Sequence, residues 1–223
     1  MASLALPRSI RVGDREVFLG WADAVSTGQT SSKRKLEFDA GRLAARRAIG
    51  AAGVSDTAAF QIVTREDGHL DSGRPLVVPA SLGLVISISH SSGHALAAVS
   101  STGHGGPIGI DLEPEHLDVE ASFASEAFAV GELDGWSLVP TQLAAARVSI
   151  AWAAKEAALK VWGIGLRAPL GQVALQPQAF LEIAPETWVF GLHIVTTLQS
   201  VATSLSAAVL RRGGMTLVVA SAS

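Results

Sequence analysis

Cysteine and tyrosine are absent from this chain. Without cysteine there is no disulfide, no thiolate nucleophile and no Cys-ligated zinc. Charged residues make up only 17% of the sequence against 48% hydrophobic, the balance of a folded chain with a core rather than a disordered one. The formal net charge of −3 lacks the positive excess of nucleic-acid-binding domains, so no nucleic-acid partner is expected. No apolar run approaches the ~20 residues of a membrane span. The start, "MASLALPRSIRVGD", puts its basic residues after the apolar ones and interrupts them with Pro7, which makes a poor secretory signal. The expectation is a cytoplasmic protein with no membrane partner. A chain of 223 residues can form one large domain or two of about 100 residues each.

The apolar pattern predicts an α+β fold, with helices packed on largely antiparallel strands. Residues 33–52 read as a helix with Leu36, Leu43, Ala44 and Ile49 on one face and basic residues on the other. Strand, turn and extended segment follow, with the turn at Asp67-Gly68. Residues 82–100 read as two strands joined at His90-Ser91-Ser92-Gly93, and 108–113 as another strand. The strongest helix is 145–165, and strand-like runs follow at 172–175, 188–198, 204–210 and 216–220. Two alanine-rich helices ahead of strand-rich tails predict a duplication. The division is expected near Gly103–Pro107, giving an N-terminal subdomain over 1–105 and a C-terminal one over 106–223.

In "IGIDLE", 108–113, Asp111 and Glu113 alternate with Ile110 and Leu112, so the two carboxylates project side by side from one face of the strand. Like charges that close repel unless one carboxyl stays protonated or a divalent cation, a basic side chain or bulk water relieves them. The third carboxylate is Glu156 in "WAAKEAALK", 152–160, where Trp152, Glu156 and Lys160 line one helix side with Lys155 beside it. On its own the Glu156–Lys160 spacing describes a solvated pair worth about 0.2–0.5 kcal/mol. Packed against the strand, the three carboxylates would suit Mg²⁺, which is commonly held by a few carboxylates together with substrate phosphates.

These two segments resemble the signatures of 4′-phosphopantetheinyl transferases, in particular the monomeric surfactin-synthetase type. "RKLEFDAGRLAARRAI" at 34–49, "SGRP" at 72–75, "SISHS" at 87–91 and "FASEAFAVGEL" at 123–133 resemble further family segments in the same order. The resemblance spans about residues 34–165 and, more faintly, the whole length. It implies a pseudo-twofold pair of α+β subdomains with coenzyme A in the cleft between them, acting as a monomer. The implied activity is Mg²⁺-dependent transfer of 4′-phosphopantetheine to a serine of an apo acyl or peptidyl carrier protein, releasing adenosine 3′,5′-bisphosphate. Carried over by motif, Asp111, Glu113 and Glu156 would hold the metal, and Glu156 would take the serine proton. Lys160 would contact the pyrophosphate, with Lys155 nearby. His90 with Ser89 would contact the 3′-phosphate end of coenzyme A, and Arg42, Arg46 and Arg74 its other phosphate or adenine side. Two positions depart from the family pattern: Ala153 stands where Ser, Thr or Cys is usual, and Arg74 where Lys is usual.

Other readings are weaker. His90, His94 and His104 could suggest zinc, but their stretch is rich in glycine and serine, so helical spacing means little there. Glu132 reads as a surface acid. "GIGLRA" at 163–168 follows a helix instead of linking a strand to one, so it is no dinucleotide fingerprint. "GHGGP" at 103–107 has no G-x-S-x-G elbow to serve. Two functional alternatives stay open: a non-catalytic relative that binds coenzyme A or a carrier protein, and an unrelated Mg²⁺-dependent phosphoesterase. Glu156→Gln separates the first from an enzyme, since only an enzyme loses an activity.

Overall fold

The computed structural model describes residues 6–24, 32–65, 73–104, 106–117, 121–164, 170–196 and 204–222. The fold is α+β, built on two antiparallel sheets. The first contains β1 (Ser9–Val12), β2 (Arg15–Asp23), β5 (Leu84–Ser91) and β6 (His94–Ser101), in the order β1-β2-β6-β5. The second contains β7 (Ile108–Pro114), β8 (Val173–Ala184), β9 (Thr187–Thr196), β10 (Ser204–Arg212) and β11 (Met215–Ala222), in the order β7-β11-β10-β9-β8. A separate ribbon pairs β3 (Gln61–Thr64) with β4 (Pro75–Val78). Helix α1 (Lys33–Ala51) packs on the first sheet and α4 (Arg147–Trp162) on the second. Two short helices, α2 (Ala121–Ala127) and α3 (Glu132–Gly135), precede α4. No helix among the described residues is long and apolar enough to cross a membrane.

The two sheets share a connection rule. In each, the strand before the long helix pairs with the last strand of its sheet, and that strand pairs with the penultimate one: β2-β6-β5 and β7-β11-β10. Both strands before the helix carry a glycine where the helix backbone comes closest. A Cβ on Gly20 would lie 2.1 Å from the Ala44 carbonyl oxygen of α1, and one on Gly109 would lie 1.9 Å from that of Ala157 in α4. In both sheets the glycine pairs with alanine, Gly20 with Ala97 and Gly109 with Ala220.

Three apolar clusters hold these layers. Ala40, Ala44, Ala45, Ala48 and Ile49 fill the space between α1 and the first sheet. Leu19 and Leu96 meet Ile108, Ile110, Leu112 and Leu217 between the sheets. Trp136, Trp152, Trp188 and Phe190 dominate the third cluster, under α4. Small residues, not leucines, form the contact stripe of α1. Leu43, expected on the apolar face, is 42% exposed, because close approach at Gly20 leaves room only for alanine and glycine. The sequence reading also missed the β1–β2 hairpin and ended β8 too early. The turn expected at Asp67-Gly68 lies outside the described residues.

Candidate active site

Strict alternation in β7 sends Ile108, Ile110 and Leu112 into the core between the sheets. Gly109, Asp111 and Glu113 therefore share the opposite side, toward α4. Because Gly109 admits the helix backbone, Glu156 comes within reach of both strand carboxylates. One oxygen from each of Asp111, Glu113 and Glu156 lies within 4.8 Å of the others. Helix α4 ends cleanly just past the cluster. Gly163, at φ 75°, is its C-cap, and the Gly163 N–H turns back to the Lys160 carbonyl.

Lys160 sits among these acids. Its Nζ is 2.6 Å from Asp111 Oδ1 and 3.7 Å from Glu156 Oε2, and it donates to the Ile110 carbonyl at 2.9 Å and to Ser89 Oγ at 3.1 Å. Ser89 in turn donates to Asp111 Oδ1 at 2.6 Å. Asp111 is 2% exposed, and its Oδ2 is buried with no hydrogen-bond partner. Burial and the Asp111 charge push the Glu113 carboxyl up to about 7, against the nearby Trp152 indole, the Lys160 ammonium and the Ser91 hydroxyl. Burial, then Asp111, pushes the Glu156 carboxyl to about 7 as well; Glu113 adds to the rise and Lys160 opposes it. Burial alone would lower the Lys160 ammonium, but Asp111, Glu156 and Glu113 outweigh it and raise it.

One ammonium does not balance three carboxylates. A buried carboxylate oxygen without a donor is costly in a finished core. The donor set is all oxygen, which suits a hard cation such as Mg²⁺. Asp111 Oδ2 is therefore the atom that best fits a metal bond, with Glu113 and Glu156 completing the set.

The cluster lines a recess of about 360 Å³ together with Ile88, Ser89, His90 and Lys160. Ile88 and His90 also line a larger cleft of about 650 Å³, whose described walls include Arg34, Lys35, Phe38, Arg42, Thr64 and Pro75. Pro75 is shared with a third recess of about 350 Å³ that holds Arg65 and Arg74. Three adjoining hollows thus run from a basic, partly apolar end to the carboxylates. The Arg42 guanidinium lies 4.7 Å from the Phe38 ring centre and donates to Thr64 Oγ1 at 2.8 Å, while its NH1 is buried without a partner. Burial, and then Arg46, lowers the Arg42 ionisation.

The structure brings Asp111, Glu113, Glu156, Lys160, Ser89 and His90 to one recess, Arg42 to the adjoining cleft, and Arg74 to the hollow beyond. Arg46 is exposed one turn past Arg42 and is not among the described residues lining the cleft. Lys155 is not brought to the recess at all. It is fully buried, with Nζ 2.7 Å from Glu132 Oε2 and 2.7 Å from the Ala127 carbonyl, over the Phe128 ring. The surface reading of Glu132 is corrected by the same contact. Glu132 is buried, and it also accepts from the backbone N–H of Ala129 and Leu175. Both misplacements have one cause: residues one position apart on a helix face different sides, and nothing local says which side is covered. Sequence reasoning also passed over Ser87, whose Oγ accepts from the Ile110 N–H at 3.1 Å. The alternation of Ser87, Ser89 and Ser91 was the available signal.

Comparison with protein families gives two matches. The 4′-phosphopantetheinyl transferase superfamily model matches residues 107–206, and the 4′-phosphopantetheinyl transferase N-terminal domain model matches residues 23–100. A comparison with curated proteins finds no match.

Proposed function

The chain belongs to the 4′-phosphopantetheinyl transferase superfamily, and from that premise we propose that its donor is coenzyme A and its acceptor a serine of an apo acyl or peptidyl carrier protein. The reaction requires Mg²⁺ and releases adenosine 3′,5′-bisphosphate. The subdomains 1–105 and 106–223 contribute the two walls of the cleft, so one chain supplies a complete site and acts as a monomer. The observation that carries this reading is the partnerless Asp111 Oδ2, buried in a triad of carboxylates beside Lys160 at one end of a basic cleft.

In the transfer, a bond forms between the serine oxygen and the phosphorus that bears pantetheine. The phosphoanhydride bond to the adenosine 5′-phosphate breaks, and the nucleotide leaves with that bridging oxygen. Mg²⁺, when bound, would neutralise charge on the pyrophosphate oxygens. Asp111, Glu113 and Glu156 would hold it. Glu156 accepts the serine proton as the hydroxyl attacks. Lys160, fixed by Asp111 and Ser89, meets charge on the transferring phosphoryl group. Ser89 and His90 contact the 3′-phosphate end of coenzyme A, and Arg42 and Arg74 its remaining phosphate and adenine side, while Arg46 lies outside the described lining of the cleft. Lys155 takes no part in binding, because its ammonium is spent on Glu132 and Ala127.

Intact mass spectrometry of apo carrier protein after incubation with coenzyme A, Mg²⁺ and this protein tests the reading. A gain of one phosphopantetheine, lost in EDTA, is expected. Coenzyme A binding without transfer across several carrier classes would make the chain a binding relative instead.

A further inference from the structure

β11 runs beside β7 beneath α4, and the face it turns to that helix is apolar with one exception. Across the ladder Gly109 stands opposite Ala220, Asp111 opposite Val218 and Glu113 opposite Thr216. Residues directly opposite in an antiparallel pair leave the same face of the sheet, with Cβ atoms about 4.5–5.5 Å apart. Val218 and Ala220 belong to the apolar cluster under α4, so Thr216, two positions before Val218, lies on that face as well. Thr216 is fully buried, and its Oγ1 has no hydrogen-bond partner. From Met215 to Ala220 it is the one polar residue of the strand.

Valine has nearly the shape of threonine and would leave nothing unanswered at this position. A buried hydroxyl without a partner carries a desolvation cost that an apolar group of the same shape avoids. The Thr216 hydroxyl therefore works against the stability of the metal-free fold, and the side chain it sits beside across the ladder is Glu113. We propose that Thr216 is a positioning residue for Glu113, its hydroxyl donating to that carboxylate when the carboxylate serves Mg²⁺. The proposal rests on the reading that Asp111, Glu113 and Glu156 hold the ion. Glu113 reaches out on several rotatable bonds, and Asp111 repels it from the same strand face. A donor fixed on the adjacent strand limits those rotations and leaves a second carboxylate oxygen for the ion. Groups that orient a ligand in this way tune metal affinity without touching the metal. β11 thus takes part in a site whose described lining comes from β5, β7 and α4.

The test is calorimetric titration of Mg²⁺ into the full chain saturated with coenzyme A, with thermal unfolding of each variant in EDTA recorded alongside. Thr216→Val, which keeps the shape and loses the hydroxyl, should weaken Mg²⁺ about tenfold without lowering the melting temperature. Thr216→Ser, which keeps the hydroxyl, should bind as wild type does. In a Glu113→Gln background, Thr216→Val should cause no further loss, because the carboxylate it orients is gone. If Thr216→Val does not fold, the Mg²⁺ affinity of Thr216→Ala is read in its place. Wild-type affinity in the variant without the hydroxyl overturns the proposal and leaves the metal reading standing. Weaker binding in Thr216→Val together with a lowered melting temperature does the same, since it marks a hydroxyl that serves only the fold. A wild-type protein that binds coenzyme A but no Mg²⁺ overturns the metal reading, and the proposal with it.

Discussion

Lys155 and Lys160 lie on the same helix, and each sits 2.6 or 2.7 Å from a carboxylate, but only one of these pairs is complete. Around Lys155 nearly every polar atom is answered. Glu132 accepts from Lys155 and from two backbone N–H groups, and Lys155 also reaches a carbonyl and an aromatic face. This pair joins α4 to the α2–α3 segment and to β8, and its ammonium is sealed from water. Around Lys160 the inventory is left open. Three acids face one ammonium, Asp111 Oδ2 has no donor, and the lysine side chain remains 27% exposed at the mouth of a recess. An ion pair by itself therefore says little about function. The unanswered atom marks the candidate site.

The largest effect should come from the open cluster. Glu156→Gln removes the proposed proton acceptor and metal ligand while keeping the side-chain shape, so transfer should fall by about 10²–10⁴-fold. Circular dichroism should show an unchanged fold. Survival of most of the transfer rate would mean that the triad is no more functional than the Lys155 pair.

Stability should follow the opposite order. Lys155→Ala strands the Glu132 charge in the core, and losing one partner of a buried pair costs about 3–5 kcal/mol, measurable by urea denaturation. Lys160→Ala should cost much less, because water reaches that end of the helix. A larger loss at Lys160 than at Lys155 would reverse the comparison.

The glycines beneath the two long helices offer a smaller test. Gly20→Ala and Gly109→Ala each push a methyl against a helix carbonyl, for a loss of roughly 1–3 kcal/mol. Only Gly109→Ala, which shifts α4 away from β7, should also weaken Mg²⁺ binding. Equal metal affinity in the two variants would deny that this contact sets the site.

The smallest effect is a pH dependence. With both carboxyls raised from 4.5 to about 7, the folded, metal-free protein holds more protons than the unfolded chain between those values. Stability from these groups is therefore present at the acid end and falls as pH rises through the window. In EDTA, the melting temperature should drop relative to that of a Glu113→Gln, Glu156→Gln double variant between pH 5 and pH 7.5. Mg²⁺ must displace the same protons, so it should bind more weakly at pH 6 than at pH 8. A flat profile in both measurements would mean that the acids are not crowded as described.

Much of the site was legible because its chemistry is local. Period-two alternation places Asp111 beside Glu113, and helical spacing places Trp152, Glu156 and Lys160 on one side. The α+β class followed from helix and strand periods in the same way. What could not be read depends on contacts distant in sequence. Lys155 and Glu132 trade solvent for each other across a fold boundary that no window spans. Leu43 is displaced by alanines because Gly20, on another element, draws the helix close. Ser87 and Ser89 have a visible period, but their partners, the Ile110 N–H and Asp111, are set only when β7 lies beside them.

Crystals grown with coenzyme A and Mn²⁺, a scatterer that stands in for Mg²⁺, test the central claim most directly through anomalous diffraction. The account predicts a peak roughly 2 Å from Asp111 Oδ2, shared with Glu113 and Glu156. Bound coenzyme A with no peak there, or with the ion held elsewhere, would contradict it.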